Sequence, residues 1–245
     1  MKNYLNTIII CVAVIICVTI FSTSIVALKT AQNNYIVVTG SATKSFESDL
    51  IVWRGYFSKK AQTSKKAFES IKNDTAAVKK YLINNGVNED HIVFSSIKLT
   101  ENFEYEYNQD GRITKTIFTG YTLTQNVTIE STEVDKIEQV SRDITALFDL
   151  GVEFFSLRPE YYYTKLDELK LDLIAKSAEN TRIRAETIVK ESGAKIAKLR
   201  SANLGVFQIT PENSSTDNYS SSGTYDVTTK NKTAFITTRL EYLLK

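Results

Sequence analysis

An uncharged apolar run near the start of the chain is the clearest pattern in the sequence. Residues 8–28 include no Asp, Glu, Lys or Arg, and Lys29 is the first charge that follows. At about 1.5 Å of helical rise per residue, these 21 residues reach about 30 Å, which matches the hydrocarbon core of a bilayer. A helix of a soluble core would show a polar stripe, and this run shows none. The run therefore predicts an N-terminal transmembrane helix or signal anchor within residues 1–29.

The rest of the chain, residues 30–245, is expected to lie outside the cytoplasm. Lys2 and the amino terminus make the N-terminal flank the more positive one, which favours an inside N-terminus and an outside C-terminus. The alternative is a signal peptide cleaved after Ala27, which would release a secreted protein. Signal peptides normally have apolar regions of only ~7–15 residues. We therefore expect the membrane as one partner and a domain facing the periplasm or the cell surface.

Seven segments beyond the anchor are rich in β-branched and aromatic residues and are expected to form strands. Gly40 and the polar residues after it predict a turn, and Gly55 predicts a bulge in the second strand. The pair Asp110-Gly111 predicts a hairpin between two long strands. Pro159 cannot donate a ladder hydrogen bond and predicts an edge or a bulge. The predicted strands are Tyr35–Thr39, Leu50–Lys59, His91–Tyr107, Ile113–Glu130, Val152–Tyr163, Lys195–Thr210 and Val227–Leu244.

Three further segments repeat apolar residues every three or four positions, as amphipathic helices do. One covers Ser64–Asn85, one begins at an N-cap on Ser131 or Thr132 and ends at Gly151, and the longest covers Leu166–Ser192. The element order is then ββ-α-ββ-α-β-α-ββ, which indicates an α+β fold with mixed, largely antiparallel sheets. The opening ββαββ unit and the later αβαββ unit are compatible with two degenerate subdomains, although no residue-level repeat supports a duplication.

Composition excludes some classes of function. The chain has 30 Lys and Arg against 28 Asp and Glu, a net charge of +2, so binding to bulk nucleic acid through its phosphates is not expected. Both cysteines, Cys11 and Cys17, lie in the apolar run. The exported part therefore has no disulfide framework.

The sequence contains no residue pattern typical of a catalytic site. His91 is the only histidine and no cysteine accompanies it outside the apolar run, so neither a zinc site nor a nucleophile paired with histidine is expected. The glycines are isolated, and no phosphate-binding loop is present. We therefore expect no catalytic residue, cofactor or metal. The alternative is an enzyme or enzyme subunit acting on envelope polymers through acidic residues near Glu101, Glu104 and Glu106.

Aromatic residues are densest between residues 154 and 163. Aromatic side chains with an arginine are enriched at the centres of protein interfaces, and an edge strand beside Pro159 would leave backbone groups open to a partner. The same aromatics could instead alternate into the core. We take this segment as the candidate assembly surface. Its residues are Phe154, Phe155, Arg158, Tyr161, Tyr162 and Tyr163.

An ordered set of short motifs resembles the SIMPL-domain family of exported bacterial proteins, which includes periplasmic immunogenic proteins. The motifs are Ile36-Val-Val-Thr-Gly40 followed by Asp49, Leu82-Ile-Asn-Asn-Gly86-Val87, Gly120-Tyr121, Leu150-Gly151-Val152, and Ala175, Ala178 and Ala185 leading to Gly193. Departures are Ser48 where the family often has Pro, Ala197 where a second Gly is usual, and Asn231-Lys232-Thr233 in place of Pro-Gly. The resemblance covers roughly residues 35–245 and implies an exported α+β domain, often self-associating, with no established enzymatic activity.

Together these observations favour a non-enzymatic, membrane-anchored extracytoplasmic domain. Its expected role is assembly with other copies of itself or binding of an envelope protein or polymer.

Overall fold

In the computed structural model of the chain, the residues described are 12–25, 34–214 and 220–245. A first helix, α1 (12–25), lies inside the predicted anchor, and its side chains are exposed. The other residues of the predicted anchor lie outside the described residues. None of the helices in these described stretches is both long and apolar enough to cross a membrane.

The elements form an α+β fold with largely antiparallel sheets, as the sequence predicts. The remaining helices are α2 (Ser64–Asn84), α3 (Val134–Asp143) and α4 (Leu166–Glu191), with 3-10 helices at Glu89–His91 and Ile144–Leu150. The strands are β1 (Tyr35–Glu47), β2 (Leu50–Ala61), β3 (Ile92–Phe94), β4 (Lys98–Tyr107), β5 (Ile113–Ser131), β6 (Phe154–Ser156), β7 (Glu160–Tyr162), β8 (Ile196–Leu204), β9 (Gln208–Pro211), β10 (Thr224–Tyr225) and β11 (Asn231–Leu244).

The first and last strands of the domain belong to one sheet, which we call the terminal sheet. β1 pairs antiparallel with β11 along its whole length, from Tyr35 opposite Leu243 to Glu47 opposite Asn231. β8 and β9 pair with β11, and β10 joins β9 in the parallel direction. α4 packs on this sheet, where Leu173 and Ala185 are fully buried in two apolar clusters.

The strands between β1 and α4 form a second sheet, the central sheet. β5 and β2 pair antiparallel at its centre, β3 and β4 pair with β5, and β6 and β7 pair with β2. α2 and α3 pack on one face. The largest apolar cluster of the described residues lies there and includes the fully buried Trp53 and Phe57.

The central sheet is inserted in the sequence between β1 and α4, so the chain passes twice between the sheets. The two connecting segments, one after β1 and one after β7, are hydrogen-bonded to each other, and we call this region the junction. The Asp49 carboxylate accepts hydrogen bonds from the backbone N and the Oγ1 of Thr164, at 2.7 and 2.8 Å. Lys230, the residue just before β11, forms ion pairs with Glu47 of β1 and with Asp135 of α3. The prediction of two degenerate subdomains stays a prediction, because separate sheets do not by themselves establish a duplication.

Two glycine predictions are wrong. Gly40 does not start a turn but lies within β1. Glycine is needed there because a Cβ would stand 2.7 Å from the backbone N of Thr181 and would push α4 away. Gly55 makes no bulge, since the pairing of β2 with β5 is in unbroken register. Its missing side chain leaves room for the ring of Phe154.

Three predicted strands are divided, and one predicted cap is displaced. The segment His91–Tyr107 gives the end of a 3-10 helix, β3 and β4, and the segment Lys195–Thr210 gives β8 and most of β9. The segment Val152–Tyr163 gives β6 and β7 on either side of Pro159. The N-cap of α3 is Glu133 and not Ser131 or Thr132. The Ser131 Oγ instead accepts a hydrogen bond from the backbone N of Glu133, in the turn before the helix.

Candidate interaction surface

The two longest strands of the central sheet extend beyond the rest of it as a hairpin. β2 ends at Ala61, which pairs with Tyr121, and from Gly120 back to Ile113 the strand β5 pairs with β4 alone. We call residues 101–120 the arm. It leaves the central sheet at the end of β2 that is opposite the junction.

The turn at the tip of the arm is closed by Asn108, and the predicted hairpin is confirmed. The Asn108 Oδ1 accepts hydrogen bonds from the backbone N of Asp110 at 3.0 Å and of Arg112 at 2.9 Å. Gly111 has φ of 75°, a conformation that favours glycine. The polar tip therefore holds two strands in register without any contact to the core.

One face of the arm is aromatic, and it continues onto the adjoining end of β4. Residues directly opposite each other in an antiparallel pair share a face. Phe103 is opposite Phe118, with ring centroids 5.7 Å apart, and Leu99 is opposite the buried core residue Leu123. The aromatic face thus continues the face that α2 covers elsewhere. Its large apolar side chains are 41% to 62% exposed and are Leu99, Phe103, Tyr105, Tyr107, Ile113 and Phe118.

The opposite face of the arm is charged. The three glutamates considered as catalytic candidates are divided between the two faces. Glu104 and Glu106 lie on the charged face, and the Glu106 Oε1 is 3.3 Å from the Nζ of Lys115. Glu101 points to the aromatic face, because it is an odd number of residues away from both. The structure therefore does not bring these carboxylates together as an acid–base pair would require.

The two edges of the arm differ in regularity. Both interruptions of the β4–β5 register place the extra residue on β5, at Thr119 and at Thr114. β4 is therefore regular from Lys98 to Tyr107. Among the described residues it pairs only with β5, so its outer edge has no strand partner. A regular unpaired edge is a template for the addition of another strand.

The six residues of the sequence-predicted assembly surface are divided between core and surface. Phe154 and Tyr161 are buried in the core beneath the central sheet. Tyr163 packs beside Phe46 at the terminal sheet, with ring centroids 4.8 Å apart. Phe155, Arg158 and, in part, Tyr162 remain accessible.

Phe155 and Tyr162 lie on the face of the central sheet that α2 and α3 leave uncovered. Phe155 is 47% exposed and stacks on Tyr56, with centroids 4.8 Å apart and ring planes 9° apart. The Glu160 carboxylate accepts hydrogen bonds from Arg54 at 2.7 Å and from the hydroxyl of Tyr162 at 2.8 Å. These two hydrogen bonds lower the pKa of Glu160 below its usual range. The result is a small aromatic patch beside an ordered ion pair.

His91 lies beside a cavity, and among the described residues it is not grouped with other metal-ligating side chains. It lines a cavity of about 380 Å³ with Asp90, Glu130 and Ser131, and its buried Nδ1 has no hydrogen-bond partner among the described residues. Within residues 12–25, 34–214 and 220–245, no three His, Cys, Asp or Glu side chains are grouped so that they could hold a metal ion.

The arm is the feature that the sequence analysis did not identify. The signal was present, because aromatic residues alternate with glutamates from Phe103 to Tyr107. A pattern of this kind indicates a strand with one solvated face, but it does not reveal that the aromatic face lacks a helix over it. That requires knowing where β2 and α2 end.

A family model described as "SIMPL: Protein of unknown function (DUF541)" matches residues 36–237. The matched span includes α2 to α4 and the whole central sheet. No match was found among curated proteins.

Proposed function

The chain belongs to the SIMPL family, and we propose that it is a membrane-anchored, extracytoplasmic and non-enzymatic domain that assembles with other copies of itself. Its matching family is described as being of unknown function, so the proposal depends on the surface of this chain. The alternative to self-assembly is that the domain binds another envelope component.

The arm is the observation that carries the assembly proposal. An isolated two-stranded hairpin is only marginally stable in water. The arm is such a hairpin, and it also exposes a row of aromatic side chains. Apolar surface contributes about 25 cal/mol per Å² when it is removed from water. Association costs roughly 4–15 kcal/mol, and burial of the exposed aromatic row would offset part of that cost.

Light scattering from residues 34–245 tests this proposal. We expect the average mass to rise above that of a monomer as the concentration increases through the micromolar range. Tyr105→Ser should lower that mass, while Leu171→Ser, which removes an exposed apolar residue from α4, should not. A wild-type domain that stays monomeric at several hundred micromolar contradicts self-assembly and leaves another envelope component as the partner of the arm.

The membrane anchor in this proposal is supported by the apolar run at residues 8–28. The described helix α1 lies within that run, and its apolar side chains, such as Phe21 and Ile15, are exposed rather than packed on the domain. Mass spectrometry of the protein purified from membranes tests the anchor. We expect the N-terminal run to be retained, and a mature chain beginning at Leu28 would show cleavage and a secreted protein instead.

A further inference from the structure

We propose that the outer edges of β4 from two copies pair antiparallel about a two-fold axis at Asn102, so that the central sheet continues from one copy into the other. This inference rests on the proposed function, because it requires self-assembly. It adds the strand, the register and the residues that recognise the second copy.

The outer edge of β4 is open to a second strand. β4 is regular over ten residues, and among the described residues no strand pairs with its outer side. A two-fold axis perpendicular to the sheet keeps each side chain on its own face. Facing residues must therefore have the same parity, and every permitted register is centred on a single residue of β4.

The charges on β4 exclude several of these registers. An axis at Glu101 or at Glu104 would place that glutamate opposite its own copy. An axis at Tyr105 would place Glu104 opposite Glu106 of the second copy. Like charges directly opposite each other destabilise a sheet. These charges are the usual protection of an edge against random pairing.

The register centred on Asn102 turns the same charges into attractions. Lys98 faces Glu106 of the second copy, and the two-fold axis repeats that ion pair. Leu99 faces Tyr105 of the second copy, also twice, which covers part of the aromatic face. The other two glutamates face neutral residues, Phe103 and Thr100. An axis at Phe103 avoids like charges as well, but it forms no ion pair.

The exposure of the paired residues agrees with this arrangement. Leu99 and Tyr105 are 50% and 47% exposed, and Lys98 is exposed and makes no ion pair with another described residue. Glu106 already contacts Lys115 across the arm, but its side chain is still 56% exposed. A carboxylate has two oxygens and can accept from both lysines.

Disulfide cross-linking of the full chain tests the register. Asn102→Cys, with Cys11→Ser and Cys17→Ser, would place two sulfurs at the axis, where facing Cα atoms are about 4.5–5.5 Å apart and suit a disulfide. Glu104→Cys in the same background is the matched control on the same face. Its two copies would be four residues out of register, about 13 Å apart along the strands. We expect roughly tenfold more disulfide-linked dimer with the Asn102→Cys variant than with the Glu104→Cys variant in membranes under mild oxidation.

A charge exchange tests the same register without a cysteine at the axis. Lys98→Glu and Glu106→Lys should each abolish most of the concentration-dependent mass, because each places like charges opposite each other. The two variants mixed in equal amounts should assemble, since each then supplies the charge that the other lacks. Glu104→Lys, which faces Thr100 of the second copy, should assemble like wild type.

The outcomes separate this inference from the proposed function. If wild type assembles but the Asn102→Cys and Glu104→Cys variants cross-link equally, or if mixing the charge variants restores nothing, the β4 pairing is wrong and assembly uses another surface. If wild type does not assemble, the proposed function fails together with the inference.

Discussion

At the scale of single residues, the positions that matter most are those where a side chain would be too large or a charge is buried. Gly40 allows α4 to approach β1, and the helix meets the sheet there through hydroxyl groups. The Oγ1 of Thr181 donates to the backbone O of Ser177 and lies 3.2 Å from the backbone O of Thr238. Lys232 is a fully buried lysine beside Asp226. Each of these positions leads to a stability prediction.

Gly40→Ala should destabilise the domain by about 2–3 kcal/mol, because overpacking a rigid contact has this magnitude. The new Cβ would stand 2.7 Å from the backbone N of Thr181, which cannot move without shifting α4. Urea unfolding followed by circular dichroism measures the change. Ser41→Ala, the next residue on the opposite face of β1, should change stability by less than about 0.5 kcal/mol. Equal stability of Gly40→Ala and wild type would contradict this account of the glycine.

Asp226 should make stability sensitive to acid. Burial alone would raise its pKa, but hydrogen bonds from Thr229 and Thr228 and the charge of Lys232 outweigh burial and lower the pKa to about 2. A carboxyl group whose folded pKa is below its unfolded value stabilises the fold at pH above the unfolded value. That contribution, about 2 kcal/mol, is lost as the pH falls from about 4 to 2.

Asp226→Asn tests this. We expect it to lower the unfolding free energy at pH 7 by about 3 kcal/mol, because a buried ammonium loses its partner, and to flatten the decrease between about pH 4 and 2. Burial already lowers the pKa of Lys232, which agrees with this cost. Asp110→Asn on the exposed turn of the arm is the control and should do neither. Stability curves of wild type and Asp226→Asn that run parallel in acid would refute the assignment.

At the scale of elements, the structure separates two aromatic surfaces that the sequence does not distinguish. β6 and β7 send alternate aromatics into the core and to the surface, so only part of the predicted assembly segment is accessible. The arm, in contrast, has no core beneath it, and its whole aromatic face is accessible. The first surface is ordered by its own chain, and the second lacks a covering element among the described residues.

Phe155→Ser measures what the patch on β6 contributes to assembly. Phe155 is exposed and stacked on Tyr56, so its removal should cost less than about 1 kcal/mol of stability. If the sequence-predicted segment is a second contact surface, the average mass from light scattering should fall. Phe154→Ser is the contrasting variant, because Phe154 is buried and its loss should unfold the domain. An unchanged mass for Phe155→Ser would leave the arm as the assembly surface.

At the scale of the whole molecule, the junction decides whether the two sheets behave as one unit. The passages between the sheets are short, and the structure ties them through Asp49 with Thr164 and through Lys230 with two carboxylates. The hydrogen bonds that Lys230 donates to the carboxylates of Asp135 and Glu47 raise the pKa of Lys230, so this lysine stays charged throughout the neutral range. These polar contacts couple the sheets beside the aromatic contact of Tyr163 with Phe46.

Lys230→Met should weaken that coupling. Trp53, the only tryptophan, is buried in the central sheet, so its fluorescence reports that sheet, whereas circular dichroism reports both. In wild type we expect the two urea midpoints to coincide, as in a two-state transition. In Lys230→Met we expect them to separate. Lys44→Met removes an ion pair between β1 and Asp172 of α4, away from the junction, and should leave the midpoints together. Coincident midpoints in Lys230→Met would show that the junction holds without this lysine.

Local patterns in the sequence were sufficient for the type and order of most elements. The helices α2 and α4 follow from the spacing of their apolar residues, and the hairpin at Asp110-Gly111 follows from turn chemistry, because these features depend on neighbours a few residues apart. Membership of the SIMPL family also followed from short motifs in order. The apolar run at residues 8–28 is a property of composition alone.

Only the tertiary structure decided which strands share a sheet and which faces stay uncovered. β1 pairs with β11 across almost the whole chain, and no local pattern encodes that partner. The sequence predicts a turn at Gly40, because the residue that requires a glycine there, Thr181, is distant in the chain. The arm is exposed because β4 and β5 extend farther than β2 and α2, so these two elements do not cover it. Exposure is a relation between elements, and periodicity within one strand cannot determine it.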